Sequence, residues 1–178
     1  IASISVALVV GSLFFIRVPS IKAIAKTSWK VLLVEECIFL LTLFFWSYIR
    51  IHQPDIHGLE KYMDFGFINS ILRSDFFPPR DLWFTPKDIN YYYFGHFLSA
   101  LLIKLSNTPP AVGYNMVLST IFALSVSAAF CLGSNMVALA KAEFKNHRVK
   151  IISGLLAVAL VIFSGNLYFI FTSADPCG

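Results

Sequence analysis

Two acids and a histidine in one polar stretch carry most of the chemistry this sequence offers. Glu60 and Asp64 are spaced i, i+4, so a helix through them sets both carboxylates on one side. Carboxylates at that spacing suit a divalent cation, Mg or Mn, or leave one of them to act as a general base. The same spacing also fits a solvated helix face on which Lys61 and Arg73 are the partners. Asp75 follows, as a turn residue or as a second acid of a site. Asn90, Tyr92, Tyr93 and His96 come next. On a helix, Tyr92 and Tyr93 lie four and three residues before His96, so hydroxyl and imidazole groups would line one pocket wall. Three consecutive tyrosines point in three directions, so at most two share a pocket. The run also reads as an aromatic belt at a membrane interface. Arg80 and Lys87 lie between the two groups and suit phosphate pairing. Asp88 is placed to cap the helix that follows.

All of these residues fall between His57 and His96, a stretch with five of the ten acids and two of the four histidines. The flanks are apolar. The 178-residue chain is 57% hydrophobic and 13% charged. A soluble domain carries about 45–50% apolar and about 25% charged residues, so an integral membrane protein is expected. The net charge of +4 gathers at the edges of the apolar runs, which points to membrane orientation and away from nucleic acid. Cys37, Cys131 and Cys177 lack metal-ligand spacing. The first residue, Ile1, and the ending S-A-D-P-C-G are expected of a fragment of a longer protein.

The elements that must position the site read as all-α, a polytopic membrane helical bundle. Spans are expected at about 2–16, 31–49, 110–140 and 151–171. The segments 17–30 and 141–150 hold eight Lys and Arg and are expected as cytoplasmic loops. The stretch 51–109 then forms one extracytoplasmic loop. It contains two helices lying on the membrane surface, 58–73 and 89–105, joined by a loop stiffened at Pro78, Pro79 and Pro86. With the second helix out of the membrane, both basic loops stay on the cytoplasmic side, as the charge asymmetry requires. The stiff connection should bring the polar faces together, so that Glu60 and Asp64 face the cavity of Tyr92, Tyr93 or His96. Glu35 and Glu36, inside the second span, open a separate reading as an ion pathway.

The motifs E-K-Y-M-D-F-G-F-I-N-S-I-L-R-S and I-N-Y-Y-Y-F-G-H, with F-P-P-R-D-L-W and Y-N-M-V-L-S-T-I-F-A-L, resemble the YYY-type uncharacterised membrane proteins of Chloroflexi and archaea, domain of unknown function 2298. The resemblance runs from about Val34 to Leu124. Leu59, Leu82 and Thr85-Pro86 depart from the family pattern, and the last pair implies a different loop backbone. More distantly, the layout is similar to lipid-dependent glycosyltransferases of the family C fold. That similarity implies a polyprenyl-phosphate sugar donor at the extracytoplasmic face of the cell membrane. Glu60 and Asp64 would then stand where the fold's catalytic acid or metal ligand stands. Arg73, Arg80 or Lys87 would pair with phosphate, and Asp75, Asn90, Tyr92, Tyr93 and His96 would line the pocket. A transporter or ion-conducting protein, and a non-catalytic scaffold whose outer loop binds a partner, are the alternatives.

Overall fold

The computed structural model describes residues 18–84, 86–140 and 146–163. Their regular structure is helical: α1 Val18–His52, α2 Leu59–Arg73, α3 Phe94–Ser106, α4 Pro110–Ala140 and α5 His147–Phe163. Helix α1 is 35 residues long. Pro19 sits in its first turn, where proline is tolerated, and no glycine or proline follows until Pro54. The basic segment expected as a loop at 17–30 is therefore helix from Val18 onward, because nothing in it breaks the ladder. Within α1, Trp29–His52 has 24 residues and a mean hydropathy of 1.8. That is about 36 Å of helix, enough to cross about 30 Å of hydrocarbon. The Pro110–Leu139 part of α4 has 30 residues and a mean hydropathy of 2.0. These two helices are long and apolar enough to span a membrane. The span expected at 2–16, residues 141–145 and the part of 151–171 beyond Phe163 lie outside the described residues.

The chain divides into two compact units. One comprises residues 40–125. Its core is built where α2 lies against α3: Ile68 and Ile71 meet Ala100 and Ile103, and Tyr114 from α4 completes the cluster. Each helix contributes residues three apart, which share a face. Gly113 is buried because α3 comes close there; a Cβ would stand 2.5 Å from Ile103 Cγ1. Trp46 and Phe122 stack at a centroid separation of 4.4 Å. The other unit comprises, among the described residues, 18–39, 126–140 and 146–163. Within it the Cys131 thiol donates to Glu35 Oε1 at 2.8 Å, and the Ser134 hydroxyl donates to the Lys150 carbonyl at 2.9 Å.

The connection from α2 to α3 is a small ordered hairpin. Arg80 and Asp88 form an antiparallel bridge. Ile89 N–H donates to the Pro79 carbonyl at 2.9 Å, and Asp81 N–H to the Lys87 carbonyl at 2.9 Å. The Asp81 carboxylate accepts from Trp83 N–H at 2.7 Å and Phe84 N–H at 3.2 Å, holding the tip by an Asx turn. The Ser70 hydroxyl donates to the Arg80 carbonyl and ties the hairpin to α2. This hairpin explains a shift in the next helix. The helix expected from Ile89 starts at Phe94, with Tyr93 as its N-terminal flanking residue (φ −114°, ψ 7°). Asp88 is a hairpin residue instead of its cap, since the amide of Ile89 is already engaged with Pro79. Helix α3 ends at Asn107, which adopts the left-handed conformation at φ 53° that stops many helices. Pro110 then opens α4 at the position where a missing N–H costs nothing.

Candidate functional site

Helices α2 and α3 bring Asp64 and His96 together. His96 Nε2 lies 2.9 Å from Asp64 Oδ1. An ionised carboxylate only accepts, so Nε2 carries the proton and donates it. Asp64 occupies the second turn of α2 and His96 the first turn of α3. The crossing of the two helices over Ile68, Ile71, Ala100 and Ile103 therefore sets the distance. The His96 side chain is 15% exposed and that of Asp64 is 36% exposed. The carboxylate, more than the imidazole, is the group a substrate would reach. The His96 Nδ1 atom is buried without a hydrogen-bond partner among the described residues. The Phe67 ring stands edge-on against the imidazole at 5.4 Å and at 6.1 Å from the Tyr91 ring.

Tyr91 is the third group at this site, and the helical spacing of the sequence passed over it. It precedes α3, so no i, i+4 relation links it to His96. Its hydroxyl donates to that of Tyr92 at 2.8 Å. That bond, then desolvation, then the Tyr92 phenol and the carboxylates of Glu60 and Asp64, hold the Tyr91 phenol above the usual tyrosine range. Glu60 is exposed in the first turn of α2 and forms no ion pair among the described residues, with Lys61 and Arg73 included.

The other expected residues fall into two further clusters. Tyr92 and Tyr93 line an open aromatic cleft of about 520 Å³ with Tyr91, Phe77, Phe94 and Phe97. Because α3 begins only at Phe94, the spacing of Tyr92 and Tyr93 to His96 is not helical, and neither hydroxyl joins the Asp64–His96 pair. Asp75 and Arg80 line a cavity of about 680 Å³ with Ser70, Arg73, Asp81 and Asp88. Two guanidiniums against three carboxylates make a mixed lining. Such a lining suits a ligand with hydroxyl donors as well as anionic acceptors. Lys87 and Asn90 are exposed and lie outside that lining.

Two groups near the site had only weak signals in the sequence. Tyr114 is 3% exposed, and its hydroxyl is buried without a partner among the described residues. Asp64 and Arg50 both lie within its electrostatic reach. Arg50 and Asn115 bond to each other across 65 positions.

Asp64 Oδ1 is engaged by His96, and among the described residues no three His, Cys, Asp or Glu side chains converge on a common point.

A family described as an uncharacterized membrane protein, DUF2298, matches residues 1–175. The chain belongs to this family. No curated protein and no solved structure matches the chain.

Proposed function

We propose that this membrane protein is a multi-pass glycosyltransferase that takes sugar from a polyprenyl-phosphate donor at the extracytoplasmic face. The observation that carries the reading is the Asp64–His96 hydrogen bond at 2.9 Å, with the carboxylate as the more exposed partner. In this reading His96 is a positioning residue. It fixes Oδ1 of Asp64 and turns the other carboxylate oxygen outward. That oxygen takes the proton of the acceptor hydroxyl as the acceptor oxygen bonds to the anomeric carbon. The bond from that carbon to the phosphate oxygen breaks, and its electron pair leaves with the polyprenyl phosphate. Arg73 and Arg80 donate to the departing phosphate, while Asp75 and Asp88 accept from sugar hydroxyls. The aromatic cleft of Tyr91, Tyr92 and Tyr93 suits the isoprenoid chain. A cation held by Glu60 and Asp64 would add positive charge beside the leaving phosphate.

The proposed topology places residues 53–109 outside the membrane, with α2 and α3 on its surface. The length of α3 supports this. Its 13 residues give about 20 Å, well short of the hydrocarbon thickness.

The test uses the purified full-length protein and a labelled polyprenyl-phosphate sugar, scored for transfer and hydrolysis. Asp64→Asn keeps the shape and removes the base, so turnover should fall at least about a hundredfold. Glu60→Gln with Mg or Mn supplied after chelation separates a metal-holding role from a base. Unchanged turnover in both variants would remove these carboxylates from the mechanism.

The ion-conducting alternative rests on Glu35, which accepts from Cys131 at 2.8 Å. It is the weaker reading. Glu36 is exposed, and α4 and α5 carry no Asp or Glu to continue a relay. A scaffold role is the outcome if no lipid-linked sugar is bound or turned over.

A further inference from the structure

Arg50 stands at the end of α1, partly buried and bonded only to neutral acceptors. Its Nε donates to Asn115 Oδ1 at 2.8 Å, and Nη2 donates to the same oxygen and to the Asp55 carbonyl at 3.1 Å. Asp55 offers its carbonyl here, and its carboxylate lies 3.7 Å from His57 Nε2. Among the described residues no carboxylate pairs with Arg50. A guanidinium is charged at every physiological pH and presents five N–H donors. The bonds above use Nε and Nη2 and leave Nη1 for an anion.

The surroundings say what kind of anion. Arg50 lines a groove of about 360 Å³ between α1 and α4 whose other walls include Ile51, Pro54, Val112 and Met116, with Ser47 and Ser119 at its inward end. Ile51, Val112 and Met116 are exposed. The groove is formed by the two helices long enough to span a membrane, and Arg50 sits two residues from the end of one of them. A cation at a span terminus lies at headgroup depth; Ile51 and Val112 lie outward of it, and Ser47, Met116 and Ser119 lie inward, at the depth of acyl chains.

We propose that this groove holds an anionic membrane phospholipid, its phosphate on Arg50 and one acyl chain running inward along Met116, past Ser47 and Ser119. Charge complementarity selects the head: a lone guanidinium with neutral ligands retains its full charge. The apolar walls select a lipid over a free anion. Asn115 keeps the fork oriented, since its Nδ2 is itself held by the carbonyls of Pro54 at 3.0 Å and Ala111 at 3.1 Å. This site differs in lining from the Arg73–Arg80 cavity and does not depend on the transferase reading.

The test is native mass spectrometry of the full chain released from nanodiscs of mixed phosphatidylglycerol and phosphatidylcholine. The wild type should retain phosphatidylglycerol about tenfold over phosphatidylcholine, the size of one charge-assisted contact. Arg50→Gln keeps amide donors and removes the charge; Met116→Trp fills the groove and leaves the Arg50–Asn115 contact intact. Both should bring the ratio close to one, while Lys104→Ala, on the exposed end of α3, should not change it. Thermal melts of each variant report folding separately. Equal retention of the two lipids by the wild type would overturn the proposal, as would a preference that survives Met116→Trp. Displacement by millimolar inorganic phosphate would also overturn it, by showing an anion site with no acyl-chain seat.

Discussion

Nε2 of His96 and Oδ1 of Asp64 lie 2.9 Å apart, joining two helices across 32 positions of sequence. The contact closes the polar edge of an interface otherwise built of aliphatic and aromatic side chains. Its two partners differ in access: the His96 side chain is 15% exposed and that of Asp64 36%.

A glutamine at 96 should preserve this arrangement and an asparagine should not. The side-chain amide of Gln reaches the place of Nε2, whereas that of Asn stops near Nδ1. His96→Asn should therefore lower stability by about 1–2 kcal/mol, a charge-assisted bond discounted for the exposure of Asp64. His96→Gln should lose about half as much. Chemical denaturation of both variants alone and with Asp64→Asn measures the coupling. Additive losses would mean that the two side chains do not interact in solution.

Tyr91 should report the charges of Glu60 and Asp64. Negative carboxylates disfavour the phenolate, so Glu60→Gln and Asp64→Asn should each bring the Tyr91 titration back toward ordinary values. Tyr92→Phe, which removes the largest cause, should shift it most. A group whose folded pKa is raised stabilises the fold below its unfolded value and loses that contribution as pH rises through the folded one. The effect therefore belongs to the alkaline range. Carbon-13-labelled tyrosine NMR, with Tyr91→Phe for assignment, reads it directly.

Gly113→Ala should destabilise the α3–α4 contact by about 1–3 kcal/mol, because the new methyl meets Ile103 at 2.5 Å. Ile103→Ala alone should cost about 2–4 kcal/mol through the cavity it leaves. The double variant should cost less than the sum, since the methyl partly fills that cavity. Denaturation midpoints of the three variants test this, and simple additivity would contradict the packing described.

Asp81→Ala should loosen the hairpin tip without disturbing the helices. It removes the acceptor for two backbone N–H groups and should cost about 1 kcal/mol locally. Asp81→Asn retains an acceptor oxygen and should behave nearly as wild type. Limited proteolysis near Trp83 and Phe84, both exposed, would show faster cleavage in the alanine variant alone.

The helical character of the chain and the polar stretch were legible because apolar periodicity and charge placement are local properties. The meeting of Asp64 with His96 was legible in part: the i, i+4 acids and the proline-rich connection pointed to facing helices. The start of α3 was not. Asp88 before an apolar run looks like a cap, but cross-chain bonds from Ile89 to Pro79 and between Asp81 and Lys87 take those residues first. That error moved Tyr92 and Tyr93 onto a helix they precede and hid Tyr91. Residues 18–30 were misread for the opposite reason. Their charge suggested a loop, yet charge does not interrupt a helix, and no glycine or proline follows Pro19 until Pro54. The Arg50–Asn115 contact had no local signature, since its partners are 65 residues apart.

That separation also sets an order of events during synthesis. Asn115 leaves the ribosome 65 residues after Arg50, an interval of roughly 3–13 s at ordinary elongation rates. For that interval, of the acceptors that Arg50 has among the described residues, the Asp55 carbonyl alone has been made. The stretch from Gln53 to Pro109 must emerge while its two ends are still untied. Only when the first turns of α4 arrive does Asn115 bridge Arg50 to the Pro54 carbonyl. The contact is therefore a latch set late, and mutations at Asn115 should act on the yield of correctly assembled protein before they act on anything the finished molecule does.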